Sequence, residues 1–131
     1  MGYTHYLNPT RSLTDTEWTK FTKHAQGIFN LAQVAIGDWA GGDDGPEITD
    51  SEVSFNGYLD DSCETCAIHK HPEPFFCKTN HRPYDSIVGA IYLAYEAIHG
   101  GNIVTSDGDM DGADWEDARA IIANLIANET A

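Results

Sequence analysis

Residues 13 to 18, Leu-Thr-Asp-Thr-Glu-Trp, constrain the fold of this chain more than any other stretch. Thr14 has the oxygen to cap a helix, Glu17 stands three residues on to complete the box, and Leu13 can staple onto Trp18. Trp18, Phe21, Ala25, Ile28, Phe29, Ala32 and Ile36 then recur at spacings of three and four, one apolar face of a long helix. A face that wide has to be covered. At 131 residues and 41% hydrophobic composition the chain has the material to cover it in one domain, without disulfides or metal as obligatory staples.

The covering elements can be read around that helix. Residues 2 to 7 alternate in the period of two expected of a strand, with Tyr3 and His5 on one side. From Gly37 to Asp50 the glycines, aspartates and Pro46 predict a loop. Glu52 to Phe55 alternates before Asn56-Gly57, a tight-turn or bulge dipeptide, and a partner strand over about 65 to 69 makes a hairpin. Phe75 to Thr79 reads as another strand, its approach restricted by Pro72 and Pro74. Ile87, Val88, Ile91, Tyr92, Tyr95 and Ile98 trace a second helix that stops at Gly100-Gly101. Ile103-Val104 gives a short strand, and a last helix begins near Asp114 and buries Trp115, Ala118, Ile121, Ile122, Leu125 and Ile126. The order β-α-β-β-β-α-β-α predicts a single α+β domain over 1–131, a mainly antiparallel sheet with about three helices on one face.

Charge narrows the partners. Twenty-one acidic residues against seven Lys plus Arg give a net charge of -14, which disfavours direct nucleic-acid binding because counterion release needs a positive surface. A basic protein partner suits such a chain; general solubility or salt adaptation explains the acidity more simply, and mimicry of DNA charge is the third reading. The start, Met1 to Tyr6, has neither a charged leader nor a long apolar run, and no later stretch is long enough to span a bilayer. The expectation is a cytoplasmic protein with no membrane contact. Three cysteines in that setting point to free thiols or a metal rather than a disulfide framework.

Thirteen residues are Lys, Arg or His, and six of them fall between His69 and Arg82. Cys63-x-x-Cys66, followed by His69 and His71, offers zinc half a site, since zinc takes four such ligands in a tetrahedron. No finger or ribbon spacing follows, so the favoured reading is Cys77 as a core residue of a strand and Cys63 and Cys66 as surface or half-buried thiols. Asp107, Asp109 and Asp111 with Gly112 reproduce the front half of a calcium loop. Position twelve is Ala118 rather than an acid, and a capping turn in which Asp111 or Asp114 starts the last helix explains the same residues. The third constellation joins Cys77, Lys78, Thr79, His81, Arg82, Tyr84 and Asp85 at a strand-to-helix junction. Lys78, His81, Arg82 and Tyr84, with His5 if the first strand lies alongside, form a candidate site for an anionic small molecule or a protein partner. A Cys77 nucleophile served by His5 or His81 is the catalytic alternative, and carboxylate pairing of the cations is the structural one.

The motifs Met1-Gly2-Tyr3-Thr4-His5-Tyr6, Ser54-Phe55-Asn56-Gly57, Phe76-Cys77-Lys78-Thr79 with Arg82-Pro83-Tyr84-Asp85, and Ser106-Asp107-Gly108 with Trp115 run in order along nearly the whole chain. Together they resemble a family of small proteins encoded by tailed bacteriophages, for which no function is assigned. Members carry an aromatic residue at the positions of Leu7 and Cys66, and this chain departs at both, which weakens Cys66 as a shared ligand. The resemblance implies an origin: a small non-structural phage protein acts on its host, by inhibiting a component or countering a defence system. The expectation is therefore a non-enzymatic accessory protein that binds a host or defence protein. The alternatives are binding or hydrolysis of a nucleotide-like anion, and a metal-stabilised structural module.

Overall fold

The expected capping box forms. In the computed structural model, which describes residues 3–130, Thr14 has extended backbone, its hydroxyl accepts the Glu17 N–H at 3.1 Å, and a Glu17 carboxylate oxygen accepts the Thr14 N–H at 2.9 Å. Helix α1 runs Asp15–Leu31 and buries Trp18, Phe21, Ala25 and Ile28, while the Trp18 indole donates to the Thr49 carbonyl at 3.2 Å. The apolar face expected to reach Ile36 ends earlier. Ala32 turns extended, and Ile36 instead enters a two-residue strand, where it pairs with Gly57. Neither a glycine stop nor a cation in the last turn marks this end.

Two antiparallel sheets form where one was expected. Strand β1 (Thr4–Leu7) lies between β6 (Phe75–Lys78) and β7 (Val104–Ser106). Strand β4 (Glu52–Gly57) is the hub of the other, pairing with β2 (Ile36–Gly37), β3 (Glu47–Ile48) and β5 (Cys66–His69). The segment expected as pure loop from Gly37 to Asp50 thus contributes the end of β2 and all of β3. The β4–β5 hairpin is present, but Asn56-Gly57 closes β4 rather than turning the chain; the connection follows it and includes a 3₁₀ turn over Leu59–Asp61. A β-carbon on Gly57 would sit 2.2 Å from the Asp61 carbonyl oxygen, so that return path requires glycine. Of the first strand expected over residues 2 to 7, Gly2 lies outside the described residues, as does Met1.

Helix α2 (Asp85–His99) carries the core. Ile87, Val88, Ala90, Ile91, Tyr92 and Tyr95 are buried, and the helix packs against α1, α3 (Glu116–Thr130), β1 and β7. Gly89 admits the third helix closely: a β-carbon there would lie 3.0 Å from both Ala118 and Trp115. Glu96 reaches from α2 to accept the N–H groups of Ile103 and Val104, each at 3.0 Å, and so sets where β7 begins. The result is one α+β domain with the three helices and the antiparallel pairing the sequence predicts, divided between two sheets. Among the described residues no helix is long and apolar enough to cross a membrane.

Candidate functional site: the polar junction around His5

Strand alternation turns His5 and Leu7 inward, and the register sets His5 opposite Cys77 on one side and Ser106 on the other. Its ring is 1% exposed. Nδ1 lies 2.7 Å from the Ser106 hydroxyl and Nε2 lies 2.7 Å from a carboxylate oxygen of Asp85, the first residue of α2. Thr79, fully buried, donates its hydroxyl to the same Asp85 oxygen. Ser106 Oγ also accepts the Gly108 N–H at 2.9 Å. A self-consistent assignment follows: Nε2–H donates to Asp85, and the Ser106 hydroxyl donates to Nδ1. The ring is held edge-on between Tyr3 at 5.1 Å and Trp115 at 4.6 Å.

Ser106, His5 and Asp85 thus stand in the order of a serine nucleophile, base and orienting acid. One feature opposes that chemistry. The base must meet a substrate's leaving group, and this imidazole is buried and walled in by aromatic rings. What the arrangement does is tie β1, β7 and the start of α2 together through polar groups that satisfy one another. Beside it, the Tyr3 hydroxyl is buried, and burial holds its pKa above the ordinary phenol value against the lowering influence of the nearby Ser106 hydroxyl. A β-carbon on Gly108 would sit 1.9 Å from that hydroxyl, so the Ser106-Asp107-Gly108 turn needs glycine here.

The junction reaches the surface through the turn Thr79 to Arg82, which is exposed from Asn80 onward. The Tyr3 carbonyl accepts the N–H groups of Thr79 and Asn80, and the Arg82 N–H closes onto the Thr79 carbonyl at 2.9 Å. Asn80 and His81 have φ of 54° and 60°, two successive left-handed residues of which neither is glycine. His81 stacks on Tyr3 with ring centres 3.7 Å apart. Lys78, His81 and Arg82 are exposed, as a recognition face would require. Tyr84 does not join them: it is fully buried and its hydroxyl donates to the Glu64 carbonyl at 2.6 Å, a correction to its place in the candidate site. His81 and Arg82 border a shallow cleft of about 210 Å³ that Asp85, Asp114 and Asp117 also line. Three carboxylates there repel an anion more than one guanidinium attracts it.

The metal candidates disperse. Cys66 lies on β5 in the core, facing the Cys77 thiol and the Tyr92 hydroxyl, and burial, then Cys77, pushes its pKa well up. A protonated core thiol is a poor zinc ligand. Cys63 is half-buried, His69 lies 3.0 Å from Glu52, and His71 is exposed beyond the strand end. In the acidic turn, Asp107 accepts the Thr4 N–H, Asp109 accepts the Asp111 N–H, and Asp114 accepts the Asp109 N–H. These oxygens close their own loop. Neither Asp111 nor Asp114 caps the last helix as expected; Gly112 precedes its opening 3₁₀ turn, Ala113–Trp115, with no side-chain cap. Among the described residues no group of three or more His, Cys, Asp or Glu is placed to hold a metal ion.

Sequence reasoning placed His5, Thr79 and Asp85 near one another only on the condition that β1 lies beside β6, and it missed Ser106 as a partner. The inward alternation of His5 with Leu7 was the available signal; pairing of β1 with β7, about a hundred residues away, leaves no local one. No known protein family, curated protein or solved structure matches this chain.

Proposed function

We propose that this chain is a non-enzymatic, phage-encoded accessory protein that binds and modulates or inhibits a host or defence component, using the exposed face beside the His5 junction. The observation that carries the reading is the Thr79–Arg82 turn. Two non-glycine residues in the left-handed region cost on the order of 1–3 kcal/mol each, less for asparagine, and such strain gathers at recognition sites. Here it presents His81 and Arg82 outward from a junction whose own polar groups are engaged. The phage origin rests on the motif resemblance. The carboxylates of the adjoining cleft count against a nucleotide-like ligand, and the dispersed cysteines and histidines against a metal-stabilised module.

The test is capture from bacterial host lysate with the immobilised chain, compared with a His81→Ala/Arg82→Ala variant. A host protein retained by the parent and lost by the variant, with the variant's melting curve unchanged in shape, is the expected result. Equal retention by both removes the turn from the binding face. A nucleotide that raises the melting midpoint by several degrees, and no longer does so in Arg82→Ala, would replace the reading with the small-molecule one.

A further inference from the structure

We infer that Trp39 and Leu59 form an apolar docking epitope for a protein surface with an apolar centre and a rim of Lys and Arg. This deepens the binding reading above by naming a second contact and the chemistry of what meets it.

Trp39 is 64% exposed and Leu59 59% exposed, in a chain whose other tryptophans, Trp18 and Trp115, are buried to 3% and 1%. They project from two loops joined to each other, since the Leu59 N–H donates to the Gly41 carbonyl at 2.8 Å. Neither loop is slack. The Trp39 carbonyl accepts from the Asn56 amide at 3.3 Å and the Thr65 hydroxyl at 2.7 Å, and the Asp38 carboxylate gathers the N–H groups of Ala40, Gly42 and Asp44. Asn56 is itself buried and pinned to Cys63 through both ends of its amide. Leu59 has φ of 52°, a left-handed leucine that burial does not repay. Large apolar side chains left wet on a pinned backbone, strained at Leu59, are what interface anchors look like before their partner arrives.

Charge selects the partner. Asp43, Asp44, Asp60 and Asp61 are all exposed on these two loops, and between His24 and His69 the sequence holds nine acidic residues and no Lys, Arg or His. Such a rim attracts a basic surface and repels a second copy of this chain, which brings the same carboxylates.

A displayed random-peptide library selected on the full chain tests this. The recovered peptides are expected to combine Lys or Arg with apolar side chains and to bind at least tenfold more weakly to Trp39→Ala and to Leu59→Ala. Binding is also expected to weaken as NaCl rises. Because Trp39 is the exposed tryptophan, bound peptide should protect its fluorescence from acrylamide. Failure to recover basic apolar binders, or binders indifferent to both substitutions, overturns the inference. If binding instead disappears in His81→Ala/Arg82→Ala and survives in Trp39→Ala, the turn stands and this epitope falls; the opposite pattern removes the turn and keeps the epitope. Concentration-dependent sedimentation of the chain alone, abolished by Trp39→Ala, would assign the patch to self-association.

Discussion

His5 joins residues 80 and 101 positions away in sequence, through Asp85 and Ser106. Replacing it with alanine leaves a half-buried serine without its acceptor and a carboxylate with the Thr79 hydroxyl alone. His5→Ala should therefore lower unfolding free energy by about 2–3 kcal/mol, the cost of a charge-assisted bond and a neutral one, measured by urea unfolding. A fluorophosphonate probe, by contrast, should leave Ser106 unlabelled in intact-mass analysis; labelling lost in His5→Ala would establish a nucleophile. The thiols give a second residue-level outcome. Cys63 should react first with a thiol reagent under native conditions, and Cys66 and Cys77 only on unfolding, because burial keeps the Cys66 thiol protonated and covered. Cys77 inside a strand was legible from the alternation of Phe75 to Lys78. Cys66 was not, because Cys-x-x-Cys spacing says nothing about which of its two sulfurs a strand will turn inward.

Among the elements, α1 was the most legible because capping, staple and stripe all agree on its start. Its end departs from the pattern for a physical reason: apolar periodicity continues to Ile36, and only pairing with Gly57 draws that residue out of the helix. Strands of two residues, such as β2 and β3, leave too short a pattern to read. The start of α1 also carries a pH signature. Arg11, which bonds both Glu17 oxygens and the His99 carbonyl at the end of α2, holds the Glu17 pKa at about 2 against an ordinary 4.5. A depressed carboxyl stabilises the fold fully above its unfolded value and loses that contribution as pH falls through its folded one. Melting midpoints of the parent and Glu17→Gln should differ most at neutral pH and converge between pH 4.5 and about 2. A gap that stays constant across that range would show that Arg11 does not shift Glu17.

For the whole molecule, length and the order of elements foretold one α+β domain, and pairing over long range is what local pattern could not supply: the split into two sheets follows from which distant strands meet. Charge acts at this scale too. With a net charge of -14, self-repulsion should make the melting midpoint rise as NaCl increases from about 20 mM to about 500 mM, as the Debye length shrinks from tens of ångströms to a few. A flat response would mean that the carboxylates are too dispersed to repel one another. The position of β1 bears on time as well as stability. It is the centre strand of a sheet whose flanks arrive some seventy and a hundred residues later, so one edge waits for Phe75–Lys78 and the other until most of the chain is present. Loop closure of that length precedes any reward from pairing, and it slows this mixed fold relative to helical bundles rich in local contacts. Until Lys78 has emerged, the segment bearing Tyr3, His5 and Leu7 is an unpaired strand, and a ribosome-bound chain would keep its second edge open until Ser106 has emerged.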